Sequence, residues 1–186
     1  MNKKTAVAVA ALASPCAMAQ AYLGADIGSS HFSDSGCPGG VSCSDASWKL
    51  TGGYRFGAGW AAEIGYIDLG RTDVQAYVGP VGVNVHAITL GAAYEAAVSE
   101  SWGVGARFGV AQVKTSGGSA YFGGSGIPVF TVVDAQTRAT PYIGLLGTFS
   151  ITPSLKLEAS ADWMRADLGN VNSLVSLLAV GARYEF

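Results

Sequence analysis

The sequence lacks several features that would place it among common protein classes. Beyond its N-terminal segment, no stretch approaches the roughly 20 apolar residues of a transmembrane helix. Charged residues make up only 13% of the 186 residues, and they form no basic cluster of the kind that binds nucleic acid. Two histidines and three cysteines give weak evidence for a metal site. Hydrophobic residues nevertheless reach 49%, together with 26 glycines, which fits a soluble α/β domain poorly.

Residues 1–19 have the features of a secretory signal peptide. Asn2-Lys3-Lys4 is positively charged, Thr5 to Ala13 is apolar, and Ala17-Met18-Ala19 is a small-residue cleavage site. We therefore expect a mature chain of 186 − 19 = 167 residues, a single domain over 20–186. Removing Lys3 and Lys4 leaves 11 − 2 = 9 basic residues against 13 acidic ones, a formal charge of −4.

Two cysteines, Cys37 and Cys43, remain after this processing. Export places them in an oxidising compartment, and a close, even pair predicts a local disulfide. A loop this short gives little entropic stabilisation, so the bond would mainly fix the shape of the first loop.

The end of the chain alternates with a period of two, which is typical of a β-strand. One face is apolar and ends in aromatics: Leu178, Val180, Ala182, Tyr184 and Phe186. The other face is small or charged: Ala179, Gly181, Arg183 and Glu185. Eight such segments of about 9–11 residues predict an all-β fold, an eight-stranded antiparallel up-and-down transmembrane β-barrel. They are Ala21 to Ser29, Ser47 to Phe56, Trp60 to Leu69, one ending near Tyr94 with an ambiguous start, Trp102 to Val113, Ala139 to Phe149, Leu155 to Met164, and one from about Leu174.

The connections between these segments alternate in length. Long loops over 30–46, 70–83 and 115–138 and a medium one over 165–172 alternate with short turns. This arrangement is typical of outer-membrane barrels, whose short turns and chain termini face the periplasm. Aromatic residues at both predicted rims favour a membrane barrel over a soluble barrel with an apolar interior. We expect a monomer in the cell outer membrane with both termini periplasmic.

Several motifs carry a resemblance to a known family: Gly52-Gly53-Tyr54-Arg55-Phe56, Ala62 to Gly70, Pro141 to Gly144, Leu157-Glu158 and Gly181 to Phe186. The sequence resembles the OmpA-like transmembrane barrels of the OmpX and NspA type. This resemblance implies roles in envelope integrity, adhesion and resistance to host defences. Tyr184 and Phe186 resemble the terminal signal that the barrel-assembly machinery recognises. Larger members carry a periplasmic peptidoglycan-binding domain, and we do not expect that role here.

The inward faces carry the charged candidates for function: Asp26, Lys49, Arg55, Glu63, Arg107, Lys156, Glu158, Asp162 and Arg183. An eight-stranded barrel is just wide enough for its own side chains, so these charges must pair. The favoured interpretation is a lumen plugged by ion pairs. The alternative is a small low-conductance channel, gated by rearrangement at Arg107, Glu63 or Glu158. Inward glycines such as Gly53 and Gly144 leave room for cavities.

A catalytic role is the third alternative. His31-Phe32-Ser33 resembles the His-x-Ser motif of outer-membrane lipid A deacylases, but it lies at the first loop instead of on a late strand. A nucleophile needs its base and orienting acid together, and no matching triad is evident. We expect both histidines to be exposed, and we expect neither enzymatic activity nor a cofactor.

The loop over 119–133 is too apolar for a segment that is only solvated. Its candidate contact residues are Tyr121, Phe122, Val129 and Phe130. The hairpins either extend above the membrane and cover one another, or present a strand edge and aromatic contacts to a host or envelope protein. We expect the protein to be surrounded by lipopolysaccharide and other outer-membrane lipid. The sequence predicts a structural and surface-interaction protein.

Overall fold

The computed structural model describes residues 20–33, 44–76, 79–122, 128–167 and 172–186. The predicted signal peptide and the cysteines Cys37 and Cys43 lie outside these residues. Eight antiparallel strands follow one another around a closed barrel. They are β1 (Gln20–Ser33), β2 (Ser44–Gly57), β3 (Trp60–Ala76), β4 (Gly79–Ala97), β5 (Trp102–Phe122), β6 (Pro128–Ser150), β7 (Leu155–Asp167) and β8 (Asn172–Glu185).

The barrel closes where β1 pairs with β8, from Tyr22 opposite Glu185 to Ser33 opposite Leu174. Alternation then separates neighbouring residues onto opposite faces of the wall. Leu177 is 1% exposed inside the barrel, whereas Leu178 is 69% exposed on the outer face. The predicted eight-stranded antiparallel barrel is confirmed. No helix in the described part of the chain is long and apolar enough to cross a membrane.

The two ends of the barrel differ in their connections. Residues 58–59, 98–101 and 151–154 form short turns at one end, where β1 begins and β8 ends. We call this the short-turn end and the opposite one the long-hairpin end. At the long-hairpin end, the predicted loops over 70–83 and 115–138 are wrong in extent, because β3 to β6 run through most of them. The β-branched and aromatic residues there favour paired strands over irregular structure.

Four strands continue beyond their neighbours at the long-hairpin end. Pairing of β2 with β3 stops at Trp48 opposite Asp68, and pairing of β6 with β7 stops at Tyr142 opposite Met164. Beyond these points β3, β4, β5 and β6 pair only with one another, over 71–76, 79–84, 115–122 and 128–141. We call these four ranges the protruding sheet. Its two outer strands, β3 and β6, each have one edge without a paired strand among the described residues.

Two residues mark where the protruding sheet leaves the barrel. Gly70 has a φ of 82° at a register shift in β3, and its N–H donates to Asp68 Oδ1 at 2.9 Å. A positive φ is readily adopted by glycine, so Gly70 permits this bulge. Pro141 directly precedes Tyr142, the first β6 residue that pairs with β7, and proline has no N–H to donate to a ladder.

Candidate functional site

The interior next to the short-turn end contains five charged side chains, Arg55, Glu95, Lys156, Arg183 and Glu185, which we call the end cluster. Arg55 Nη2 lies 3.0 Å from Glu95 Oε2, and its Nη1 lies 3.2 Å from Glu185 Oε1. Lys156 Nζ lies 2.9 Å from Glu185 Oε1. Arg183 pairs with Glu95 and lies over the ring of Tyr22, 4.9 Å from its centroid. These contacts join β1, β2, β4, β7 and β8 across this end of the lumen.

The Arg107 cluster, consisting of Glu63, Arg107 and Glu158, lies deeper in the barrel. Arg107 Nε lies 2.8 Å from Glu63 Oε2, and Arg107 Nη2 lies 2.6 Å from Glu158 Oε1. The Tyr22 hydroxyl donates to Glu63 Oε1 at 2.5 Å. Arg183 Nη1 reaches Glu158 Oε2 at 3.4 Å, which connects this cluster to the end cluster. All three members are buried, so each depends on the others for compensation of its charge.

A third group, the Lys49 cluster, consists of Asp26, Lys49 and Asp162. Lys49 Nζ lies 2.8 Å from Asp162 Oδ2 and 3.5 Å from Asp26 Oδ2. Lys49 also donates to Ser160 Oγ at 2.7 Å, and the Tyr142 hydroxyl donates to Asp162 Oδ1 at 2.8 Å. Asp26 Oδ2 is buried and accepts no hydrogen bond from any residue in the described ranges. Asp162 is therefore the closely bound partner of Lys49, and Asp26 is the second, looser one.

The charges balance in one part of the interior and not in the other. The end cluster and the Arg107 cluster together contain four cations and four carboxylates, connected through Arg183. The Lys49 cluster contains two carboxylates and one ammonium group. If all of these groups are ionised, the Lys49 cluster carries one excess negative charge in a buried site, which is unfavourable.

This imbalance predicts opposite results for two similar substitutions. Asp162→Asn removes the closely held partner of Lys49 and should lower the free energy of unfolding by about 1–3 kcal/mol. Asp26→Asn leaves the Lys49–Asp162 pair intact and removes the excess charge, so the free energy of unfolding should change by less than about 0.5 kcal/mol or rise. Urea unfolding of both variants in phospholipid vesicles measures the difference. Equal losses would contradict the assigned roles.

The interior toward the long-hairpin end is mainly apolar, with the hydroxyl side chains of Ser30 and Ser47 buried among the apolar ones. Its buried side chains form one cluster, which we call the apolar plug: Ile67, Leu69, Val85, Ala87, Ala111, Val113, Tyr142, Met164, Val175, Leu177 and Ala179. Tyr142 belongs to both regions, because its ring packs in the plug and its hydroxyl binds Asp162. Val85, whose strand phase was ambiguous in the sequence, faces this plug. The lumen is thus charged in one half and mainly apolar in the other.

The inward glycines differ in the space that they leave: a Cβ atom at Gly24 would meet nothing closer than 3.8 Å, whereas Gly53 and Gly144 leave no cavity. The ring of Tyr22 lies against Gly53, where a Cβ atom would collide with it. The carboxylate of Asp162 lies in the same way against Gly144. These glycines let the neighbouring strand's polar side chain lie flat across the wall and reach its partner in the lumen.

All nine charged residues chosen from the sequence lie in the interior, in the three clusters described above. Sequence reasoning did not include Glu95 and Glu185 among them, although both lie on inward faces and bind several cations. For Glu95 and Glu185, strand alternation was the one sequence pattern that indicated an inward position. It did not include Tyr22 and Tyr142 either, because an inward tyrosine has no distinctive spacing.

The remaining candidates lie at the surface or at strand ends. Tyr184 and Phe186 are exposed at the short-turn end, with ring centroids 5.1 Å apart. Tyr121 pairs with Val129 in register, and Ala120 pairs with Phe130, so the described parts of the candidate contact loop, 119–122 and 128–133, are paired strands. His31 is exposed, whereas His86 is half-buried and stacks on Tyr66, with the two centroids 6.1 Å apart.

These features are those of a family of membrane barrels. The sequence profile of the OmpA-like transmembrane domain matches residues 16–186. The chain belongs to the OmpA-like transmembrane domain family. It is therefore an outer-membrane β-barrel. No curated protein sequence matches it.

Solved structures of other small barrels are similar to this OmpA-like chain. Neisserial surface protein A (NspA) aligns with a TM-score of 0.66 at 17% identity, over 89% of this chain and 97% of its own. A major outer-membrane protein of Thermus thermophilus gives 0.56 at 14% identity, covering 91% and 100%. Ail, the attachment invasion locus protein of Yersinia pestis, gives 0.52 at 14% identity, covering 89% and 97%. At these identities the likeness concerns the fold.

Proposed function

We propose that this protein is a non-enzymatic outer-membrane anchor whose protruding sheet binds a protein partner at the cell surface. In this proposal the long-hairpin end faces the cell exterior. The short-turn end, where β1 begins and β8 ends, faces the periplasm. The observation that carries the proposal is the continuation of β3 to β6 beyond the other four strands. The name of one structural neighbour, the attachment invasion locus protein, accords with this role.

The contents of the lumen argue against a channel as the main function. A conducting path would have to pass the end cluster, the Arg107 cluster and the Lys49 cluster, whose side chains bridge strands across the interior. It would then have to cross the apolar plug, where Ile67, Leu69 and Val175 are fully buried. Ions enter such an apolar, filled region at high energetic cost. We therefore assign the function to the parts of the chain that lie outside the barrel wall.

The free edge of β6 is the better docking position of the two. From Pro128 to Pro141, β6 pairs only with β5, so one side of its backbone is available to an added strand. Fourteen residues (128–141) correspond to about 45 Å of strand. The sequence of this edge is rich in β-branched residues, which favour pairing. The β3 edge is shorter than the β6 edge. Each of the two strands has a register shift, at Gly70 in β3 and between Val133 and Gln136 in β6, so the greater length is what favours β6. We propose an extended segment of a host or envelope protein as the partner.

The test is attachment of a non-adhering laboratory bacterium that displays the barrel. Replacing 119–133 with a short Gly-Ser turn removes the tip of the β5–β6 hairpin and should abolish attachment to epithelial monolayers. The matched control replaces the short turn at 98–101 with Gly-Ser and should leave attachment unchanged. Heat-modifiable gel mobility verifies that both variants fold.

Two results would contradict the proposal. Unchanged attachment after loss of 119–133 would remove the sheet as the binding element. Reproducible conductance steps from the purified barrel in a planar bilayer, altered by Arg107→Ala, would favour the channel; we expect a silent bilayer.

A further inference from the structure

The three charged clusters in the lumen hold one more carboxylate than cations. The end cluster and the Arg107 cluster are balanced, whereas in the Lys49 cluster Asp26 and Asp162 share one ammonium group. Asp26 is 3% exposed, and Asp162 is fully buried. Two carboxylates beside one cation in a buried site do not readily ionise together, because each disfavours the charge of the other. One bound proton would make the charges of these clusters equal.

Asp162 is the carboxylate of the two whose ionised form is better stabilised. Its Oδ2 lies 2.8 Å from Lys49 Nζ and accepts from Ser160 Oγ at 3.5 Å, and its Oδ1 accepts from the Tyr142 hydroxyl at 2.8 Å. Lys49 Nζ lies 3.5 Å from Asp26 Oδ2, which accepts no hydrogen bond from the described residues. Hydrogen bonds and close cations favour the charged form of a carboxyl group, so the proton belongs on Asp26.

A hydroxyl group near Asp26 also lacks a partner. Asp26 is the register partner of Lys49, and Ser47 occupies the inward position of β2 next to Lys49, toward the long-hairpin end. The Ser47 Oγ is buried and makes no hydrogen bond within the described ranges. An ionised Asp26 can only accept hydrogen bonds, whereas a protonated one can also donate. Protonation therefore adds a donor to a stretch of wall that contains an unsatisfied hydroxyl group.

Charged groups on other strands face Asp26 as well. Arg107 on β5 favours the ionised form of Asp26, and Glu158 on β7 disfavours it. These two side chains bind each other, with 2.6 Å between Arg107 Nη2 and Glu158 Oε1, so their effects on Asp26 oppose one another. On β8 the register partner of Asp26 is Gly181, which carries no charge. Sharing of Lys49 with Asp162 therefore decides the protonation of Asp26.

We propose that the lumen is a reversible proton-binding site in which Asp26 holds one proton near neutral pH and releases it in alkaline solution. An aspartate in the unfolded chain is ionised above about pH 4, so the folded barrel binds a proton that the unfolded chain does not. Folding is then linked to proton uptake, and the stability of the barrel should fall as the pH rises. The site lies inside the wall and is independent of the partner proposed for the protruding sheet.

The first test is a pH titration of the purified barrel in nanodiscs, followed by the ¹³C NMR signals of the aspartate side-chain carboxyl carbons. At neutral pH, Asp26 should have the chemical shift of a neutral acid and Asp162 that of a carboxylate. In Asp162→Asn, Asp26 should become ionised, because Lys49 then has one carboxylate partner in the cluster. A merely structural Asp26 would not respond in this way. An Asp26 that is ionised at neutral pH in the wild type, or a proton found on Asp162, would overturn the proposal.

The second test is urea unfolding in phospholipid vesicles at several pH values. In the wild type, the equilibrium constant for folding should rise by up to about tenfold for each unit that the pH falls between about pH 9 and pH 6. Asp26→Asn should lose this dependence. Glu100→Gln, which removes an exposed carboxylate from the turn at 98–101, is the matched control and should keep it. Both histidines are present in every variant, so their titration cancels in the comparison.

Two outcomes of the unfolding experiment would contradict the proton site. An equal pH dependence in the wild type and Asp26→Asn would show that the linked proton lies elsewhere. A metal cation in place of the proton would make the wild type, and not Asp26→Asn, less stable when sodium is replaced by tetramethylammonium. Heat-modifiable gel mobility verifies that each variant folds before unfolding is measured.

Discussion

Replacing Arg107 with alanine is expected to lower the free energy of unfolding by about 3–5 kcal/mol. Arg107 is 3% exposed and compensates two buried carboxylates, Glu63 and Glu158, at 2.8 and 2.6 Å. Without it, the partners that remain among the described residues are the Tyr22 hydroxyl for Glu63 and Arg183, at 3.4 Å, for Glu158. Buried carboxylates without adequate partners are the costly outcome of breaking such a pair. Equilibrium urea unfolding in phospholipid vesicles measures this loss.

Two further variants separate the buried pairing from a general loss of charge. Arg165→Ala removes an exposed cation and should change the free energy of unfolding by less than about 0.5 kcal/mol. Adding Glu63→Gln to Arg107→Ala should recover part of the loss, because one of the uncompensated charges disappears. A loss below about 1 kcal/mol for Arg107→Ala would indicate that water reaches these carboxylates, which would favour a hydrated lumen.

Leu177→Ala should lower the free energy of unfolding by about 2–5 kcal/mol. Leu177 is 1% exposed in the apolar plug, so truncation leaves a cavity that the surrounding wall can close only partly. The adjacent Leu178 is the matched control, because it is the same residue type on the same strand and its side chain lies on the outer face of the barrel.

Leu178→Ala should cost clearly less than Leu177→Ala, because mobile lipid chains fill the space that the side chain leaves. The same vesicle-based urea unfolding compares the two. If both substitutions cost the same, the interior at Leu177 is not close-packed, and the description of the plug is wrong.

Strand alternation explains how much of the interior could be predicted from sequence. A period of two decides which side of the wall a residue faces, so Lys49, Arg107 and Asp162 were placed inside from their neighbours alone. It does not decide which inward residues meet. Lys49 and Asp162 are 113 positions apart and come together only because β8 closes on β1. That closure sets the offset between strands around the barrel, which no local pattern contains.

The apolar plug and the long strands were missed for a related reason. Where a membrane strand also faces an apolar interior, both of its faces are apolar and the alternation fades, as at Leu177 and Leu178. Val85 gave an ambiguous phase for the same reason, although it continues the inward face of Ala87 and Thr89. The hairpins of the protruding sheet were read as loops, because their length exceeds what a bilayer requires.

Pro141 affects how the barrel would respond to a strand added at β6 and to replacement of the hairpin tip. A strand that adds to β6 from outside meets, at Pro141, a residue that cannot donate a backbone hydrogen bond. In the proposed complex, we expect added pairing to end near Pro141, where the pairing of β6 with β7 begins. The hairpin tip above this position should then tolerate exchange without a change in the β6–β7 pairing.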